Sequence, residues 1–465
     1  MEDFLNKEDL IDFIGKIGDE ENTDVYLVGG CIRNELLGIE TEDIDFLVIG
    51  DGVRFAKIVA ERLKAGSPLE FSEFGTAVLW YKNLKIEFAG ARKEVYEPDS
   101  RKPKVSEGTI IEDLKRRDFT INTLARKVNF KSKGDIIDLF GGIEDINKKL
   151  IRTPVEPDIS FSDDPLRMLR AIRFAAQFGF RIEKSVYNAI KNLKERINIV
   201  SKERISNELM KILSLKKPSL GFKLLKYSEL LEIIFPELNS LSGVENQNGY
   251  LHKDVFLHTL KVVDNVAEKS DDLDLRFAAL MHDIAKPLTK RFHPESGWTF
   301  YGHDELGSKM VKEIVKNMRL PSSLGNYAQK LIRMHLRPIS LSEENVTDSA
   351  IRRFIVEAED DLDDLMTLCK ADITSSNPQR AAVHLQNFNR VIKRIDEVKE
   401  KDRLREFKSP VNGHEIMEVC NIKPGKKVGI LKKKIEDAIL DGIIPNDHDK
   451  AFEYLLKIKD NILSE

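Results

Sequence analysis

Cysteine is scarce in this chain, net charge is small, and long apolar runs are missing. The three cysteines, Cys31, Cys369 and Cys420, are far apart and odd in number, which excludes a disulfide scaffold and any CxxC zinc motif. No stretch of 18 or more apolar residues is present to span a bilayer. The opening MEDFLNKEDLIDFIGKIG reads as an acidic amphipathic helix without the basic and apolar regions of a signal peptide. The expectation is a reduced, cytoplasmic protein with no membrane partner. With 74 Lys and Arg against 78 Asp and Glu, the formal charge of −4 exerts no global pull on nucleic acid. Any such binding has to come from local basic patches.

The 465 residues allow several domains at ~100–200 residues each. Apolar residues at 41% suffice for packed cores. Residues 25–30, VYLVGG, read as a short buried strand ending in two glycines, and CIRNELLG follows with helical spacing and a glycine stop. Further strands are expected at EDIDFLVIG, TAVLWYK and LKIEFAGA. After DLFGG, residues 138–142, strand signals nearly vanish and helical patterns run to the C-terminus. The fold class is α+β, with a mixed-sheet head over 1–150 and a helical neck over 151–225. A helical domain bearing histidines spans 226–395, and a helical tail spans 396–465. The charge run VIKRIDEVKEKDRLREFKS reads as a solvated helix face or linker.

Asp43 and Asp45 open an otherwise apolar strand. Side chains two apart on a strand share a face, so both carboxylates project together. Clustered like charges call for a cation between them, and a divalent metal is one reading. A solvated turn before the strand is the other. Gly29 and Gly30 before a helix let backbone N–H groups approach a phosphate, with Arg33 one turn in, although two glycines equally make a tight turn. LKRRDFTIN sets Arg116 and Arg117 beside Asp118, with Asn122 following, as donors suited to a triphosphate. A structural salt bridge accounts for one of those arginines more easily than for both. Glu87 in LKIEFAG is a third carboxylate on another strand, or an exposed strand glutamate. Asp164, Arg167, Arg170 and Arg173 recur every three residues and read as helix-surface neighbours. A carboxylate and a guanidinium so placed can read a nucleobase edge, or form an ordinary i,i+3 ion pair.

Taken in order, YLVGGCIRNELLG, EDIDFLVIG, RRDFTINTLA, DLFGG and DPLRMLRAIRFAAQFGF resemble the bacterial class II tRNA nucleotidyltransferases, the CCA-adding enzymes, and their related poly(A) polymerases. The resemblance spans roughly the first 225 residues and implies a polymerase-β-like head with Asp43 and Asp45 as Mg²⁺ ligands and Glu87 beside them. It implies that Gly29, Gly30, Arg33 and Arg117 hold the triphosphate of CTP or ATP. It also implies that Asp164 and Arg167 accept the base, supported by Arg170 and Arg173. The family's Glu-Asp pair before Pro-Leu-Arg is here Asp163-Asp164, which keeps the base-facing member. In the family a mobile loop before the double arginine serves addition of A after CC. A segment of ample length is present here, which argues against a CC-only enzyme.

Of nine histidines, four fall in a series: His258 in FLHTL, His282 with Asp283 in LMHDIAK, His303 in YGHDELG and His335 in IRMHLRP, with Asp372 in KADITSS after them. Histidines and carboxylates on separate helices are how bundles assemble N/O metal sites. The series resembles the HD phosphohydrolase domain that some CCA-adding enzymes carry behind the neck. It implies a divalent transition-metal site, which with His303 and His335 included suits two metals, and Lys286 facing a phosphate. A degenerate structural HD domain is the alternative.

A protein that handles tRNA needs a basic track. SLKKPSLGFKLLK and KPGKKVGILKKK, with Lys426, Lys427, Lys432, Lys433 and Lys434, are the candidates, suited to reading charge and shape. The leading expectation is a CTP/ATP:tRNA nucleotidyltransferase with a fused HD hydrolase. Its alternatives are an A-adding enzyme or poly(A) polymerase, and an HD phosphohydrolase whose head serves only to bind nucleotide or RNA.

Overall fold

The structure, a computed structural model, describes residues 6–464 apart from 42, 72–74, 98–99, 244, 248–249, 253, 296, 343–345, 375–376 and 403–408. The chain divides into two compact units, Met1–Asn239 and Ser240–Glu465.

The first unit is built on a seven-stranded mixed sheet. Its strands are β1 (Val25–Val28), β2 (Asp43–Val48), β3 (Leu69–Phe71), β4 (Thr76–Tyr81) and β5 (Leu84–Gly90). After a separate antiparallel hairpin of β6 (Arg92–Glu97) and β7 (Ser100–Glu107), the sheet is completed by β8 (Ala125–Lys127) and β9 (Ile136–Ile137). The order across the sheet is β3-β4-β5-β2-β1-β8-β9. Among these neighbours the β2–β5 pair is parallel and the others antiparallel.

The alternation of β2 decides where the site lies. Ile44, Phe46 and Val48 point to one face and are buried. Phe46 stacks on Phe88 of β5 at 5.3 Å, and Phe55 of the helix Gly52–Leu63 meets Phe88 edge-on at 5.8 Å, closing that face. Asp43, Asp45 and Leu47 take the other face. There Leu47 packs with Tyr26, Val28 and Leu114 while the two aspartates are left towards an open cavity. The stretch expected as a loop before the double arginine is instead mostly regular. It holds the β6–β7 hairpin and the helix Ile110–Lys115, whose N-terminus is fixed by a Thr109–Glu112 capping box.

The neck follows as the helices Pro157–Asp163, Leu166–Phe178, Lys184–Leu193, Lys202–Leu213 and Pro218–Tyr227. The first unit then runs beyond residue 225, through Leu230–Ile234 and Pro236–Asn239. Leu166–Phe178 buries Leu166, Met168, Leu169, Ala171, Ile172 and Ala175 and stops at Gly179, which takes a left-handed φ of 67°.

Among the described residues, the second unit is helical apart from the short pairs Glu245–Gln247 with Tyr250–His252 and Arg291–His293 with Gly297–Thr299. In the helix Pro378–Asp402, Phe388, Val391, Ile395 and Val398 are buried at helical spacing, so its charges occupy the opposite face. The end of that charge run lies outside the described residues. Gly413–Cys420, Lys426–Leu440 and His448–Ser464 close around Val411, Ile416, Leu431, Ile435, Ala451 and Leu455. The five lysines of the expected track there are exposed. No described helix is long and apolar enough to cross a membrane.

Candidate active site and metal centre

A cavity of about 710 Å³ in the first unit is lined by Gly29, Gly30, Arg33, Asp43, Asp45, Glu87, Arg117, Asp164, Arg167 and Arg170. These come from strand ends, a glycine turn, the double-arginine segment and the neck. Arg173 is not among them: it pairs with Glu208 at 2.7 Å and stacks at 4.1 Å on Phe174, which does line the cavity.

Asp45 sits opposite Glu87 in the β2–β5 register, and Asp43 opposite Lys85. Asp43 is exposed, with Lys85 Nζ 3.9 Å away. Burial pushes the Asp45 carboxyl up to about 6, helped by the charges of Glu87 and Asp43 and opposed by Arg117. A buried carboxylate raised further by neighbouring carboxylates is relieved by a cation, so this donor set fits a divalent metal.

At the end of β1, Gly29 has φ 69°, and a Cβ there would lie 2.7 Å from Arg117 Nη1. Glycine is required at this point. Arg116 and Arg117 share one buried partner. Asp113 Oδ1 takes Arg116, and Oδ2 takes Arg117 Nη2 at 3.1 Å, so one aspartate pairs with both arginines, while Arg116 also reaches Glu94 at 3.2 Å. Arg33 donates to Asn122 and lies over Phe174 and Phe178 at 5.2 and 4.8 Å. Burial pulls its guanidinium down to about 10.

The three-residue ladder is broken by the backbone. Asp164 ends one helix in an extended conformation, φ −138° and ψ 100°, and Pro165 opens the next. Each member therefore has its own partner. Asp164 Oδ2 pairs with Arg204 Nη2 at 3.1 Å, while its Oδ1 accepts from Leu166 N at 3.2 Å. Arg167, buried, donates to Ser160 and to the Arg116 carbonyl. Arg170 pairs with Asp118 at 2.6 Å. Arg204, Asp118 and Lys211 also line the cavity and escaped the sequence reading as site residues. RRDFTIN contained Asp118, but nothing local pointed to Arg204.

In the second unit, six expected ligands converge from five helices or their ends. His258, His282 and Asp372 form one group and Asp283, His303 and His335 another, each with ligand atoms within 4.8 Å of one another. Asp283 lies between them: Oδ2 is 3.2 Å from His282 Nε2 and 3.4 Å from His258 Nε2, and Oδ1 is 3.4 Å from His303 Nε2. His258 Nε2 is 2.9 Å from Asp372.

The Nδ1 atoms of His282, His303 and His335 lie 2.7, 2.7 and 2.6 Å from the carbonyls of Ala279, Phe300 and Ile332. Donation there leaves the Nε2 lone pairs pointing inward. Those three Nε2 atoms and Asp283 Oδ1 are buried without a hydrogen-bond partner. Orphaned buried nitrogens and a carboxylate oxygen in one place are what a cation would satisfy. Burial, reinforced by the charge of His282, pulls His335 down to about 4, and burial also lowers His303. Burial works against His282 as well, but Asp283 and Asp372 hold it up at about 10. Lys286 is within the site, its Nζ 2.6 Å from Asp283 Oδ2.

Family models match three segments of the chain. The family "Poly A polymerase head domain" matches residues 25–152, "Probable RNA and SrmB- binding site of polymerase A" matches 179–241, and "HD domain" matches 255–376. An A-adding tRNA nucleotidyltransferase of Geobacter sulfurreducens is 41% identical over 228 residues, 48% of this chain. That alignment spans only 26% of the relative's length. A solved complex of a CCA-adding enzyme with CTP is 28% identical with a TM-score of 0.63, covering 97% of this chain and 96% of the other. The Thermotoga maritima CCA-adding enzyme complexed with tRNA is 25% identical with a TM-score of 0.59, covering 97% and 96%. The chain therefore carries segments that match a poly(A) polymerase head, an RNA-binding segment and an HD domain, in that order, and over nearly its whole length it is similar to solved CCA-adding enzymes.

Proposed function

We propose that the first unit adds CMP and AMP from CTP and ATP to the 3′ end of tRNA without a nucleic-acid template, building or repairing CCA. The observation that carries this is the single cavity lined by the three carboxylates, the diglycine turn with Arg33 and Arg117, and the Asp164/Arg167 pair. In this reading the Gly30 turn and Arg117 hold the triphosphate. Asp164 accepts from the exocyclic amine that cytosine and adenine share, and Arg167 donates beside it. Asp43 and Asp45, with Glu87 adjacent, hold Mg²⁺. When bound, Mg²⁺ acidifies the attacking hydroxyl and neutralises charge on the α-phosphate and pyrophosphate.

Similarity to solved complexes of CCA-adding enzymes with ATP and with CTP supports this reading. The Geobacter relative favours a second one, an enzyme that adds only A. The test uses tRNA transcripts ending before CCA, after C and after CC, with each nucleotide alone and with CTP plus ATP. Three additions and a stop are expected. Addition of A to the CC end alone would make it an A-adding enzyme, and a long A ladder a poly(A) polymerase. No addition would leave the head as a binding module for the hydrolase. Asp43→Ala is expected to abolish incorporation of both nucleotides, and near-normal residual addition would sink the metal assignment.

The second unit we infer to be a metal-dependent phosphohydrolase acting on phosphomonoesters or cyclic phosphodiesters. Its imidazole and carboxylate donors suit a divalent transition metal. His282→Ala with Asp283→Ala is expected to stop hydrolysis and spare nucleotide addition. Free Cys31, Cys369 and Cys420 suit work in the reducing cytoplasm.

A further inference from the structure

The sheet face that carries the three carboxylates continues past them. Register sets Lys85 opposite Asp43 and Trp80 opposite Lys85. It likewise sets Glu87 opposite Asp45, Val78 opposite Glu87 and Leu69 opposite Val78. Directly paired residues project from the same face of a sheet, so Trp80, Lys85 and Asp43 form one row across three strands. Lys85 and Asp43 do meet on that face, at 3.9 Å. Thr76, on the same side of β4 as Trp80, lines the cavity. Trp80 therefore stands two strand spacings, about 10 Å, from Asp43.

This tryptophan is 61% exposed, and so is Leu69 in the adjoining row. A large aromatic surface left in water beside an active-site cavity marks a place where something docks. The sheet order indicates what. On one flank of β2 lie β1, the diglycine turn, Arg33 and Arg117, the elements assigned above to the incoming nucleotide. An acceptor hydroxyl has to reach Asp43 and Asp45 from the other flank, over β5 and β4.

We propose that Trp80, with Leu69 beside it, is a stacking platform for the single-stranded 3′ end of the acceptor RNA, and that Lys85 faces the phosphate entering between platform and carboxylates. The inference rests on the reading of the head as an RNA-extending nucleotidyltransferase. Every nucleobase offers a π face, so an indole holds any terminal base without selecting it. That suits an acceptor whose last base changes with each addition. Selection stays with Asp164 and Arg167 across the cavity.

The chain has two tryptophans, so Trp298→Phe leaves Trp80 as the sole indole reporter. Trp298 lies in the second unit, edge-on to Phe292 at 5.2 Å and under Lys290, and the substitution keeps a ring there. In this variant, tRNA ending in CC is expected to quench Trp80 emission. The same tRNA trimmed to a blunt acceptor stem, and ATP alone, are expected to leave it unchanged. In extension of CC-ended tRNA, Trp80→Ala is expected to raise the KM for tRNA roughly tenfold with the KM for ATP unchanged. Trp80→Phe should recover most of that loss. Quenching by ATP alone would move Trp80 to the nucleotide side and overturn the proposal. An unchanged tRNA KM in Trp80→Ala would also overturn it, as would an emission change driven by protein concentration alone, which would assign the patch to a second copy. If the wild-type chain extends no RNA, the reading of the head fails; if it extends RNA and Trp80→Ala matches it, the platform alone fails.

Discussion

Asp118 Oδ2 and Arg170 Nη2 meet at 2.6 Å, tying the double-arginine segment of the head to the neck helix Leu166–Phe178. Burial alone would push the Asp118 carboxyl up, but Arg170 and a hydrogen bond from Asn122 draw it down to about 2. A carboxyl depressed in the folded state adds stability that is complete above its unfolded value, ~3.9, and is lost as pH falls towards about 2. Asp118→Asn is expected to lower the unfolding free energy of the first unit by about 2 kcal/mol at pH 7. It should also flatten the acid limb of the stability profile. Urea titrations at several pH values check this, and a wild-type profile in the variant would mean that Arg170 has found another partner.

Asp45 shows the opposite shift. Its carboxyl, raised to about 6 by burial and by Glu87 and Asp43, binds a proton more tightly folded than unfolded. Its ionisation therefore costs stability increasingly as pH rises through about 6. Without added metal, Asp45→Asn is expected to stabilise the first unit by about 1–2 kcal/mol at pH 7 while abolishing nucleotide addition. For the wild type at limiting Mg²⁺, addition should fall as pH drops through about 6, since proton and cation compete for one carboxylate. Higher Mg²⁺ should move that midpoint to lower pH. A pH profile insensitive to Mg²⁺ would remove Asp45 from the metal site.

Arg204 holds Asp164 Oδ2 while the Leu166 N–H holds Oδ1, so the carboxylate is oriented before any base arrives. Arg204→Ala frees it to turn. Preference for ATP and CTP over GTP and UTP is expected to fall about tenfold, the scale of one hydrogen bond to a charged group. Affinity for tRNA should change little, and Arg204→Lys should restore part of the preference. Unchanged discrimination in single-nucleotide incorporation assays would reduce Arg204 to a surface ion pair.

These partners mark how far the sequence could be read. The sheet-bearing head and helical remainder were legible because β1 is uniformly apolar and the later segments follow a helical period. The Asp164 ladder was misread although its correction was at hand: a residue before proline is driven to extended backbone, so Asp164 could not share a helix with Arg167. The pairing of Arg116 and Arg117 with Asp113, three and four residues earlier, was equally open to reading. The β6–β7 strands carried a turn signal in EPDS. Arg204, 40 residues beyond Asp164 in sequence, carried no local signal. Contacts of that kind are set by how helices pack, which spacing along one helix does not encode. Trp80 was visible only as one apolar residue of a strand; its meaning came from the register that set it in a row with Asp43.

Asp283 presents one oxygen to each of the two donor groups, which makes metal content the sharpest probe of the second unit. His335 belongs to one group only. Burial, with the charge of His282 beside it, holds His335 down at about 4, so it is neutral at pH 7 and ready to ligate without losing a proton. If each group holds an ion, elemental analysis of His335→Ala after dialysis against the metal is expected to fall from two ions per chain to one. Asp283→Asn should weaken both, because the shared carboxylate is lost and the buried imidazoles face an amide instead. Nucleotide addition should be unaffected in either variant, since the head cavity draws all its lining from the first unit. A wild-type content of one ion, lost entirely in His335→Ala, would instead put a single metal on the Asp283 side, leaving His258 and Asp372 to orient it through His282.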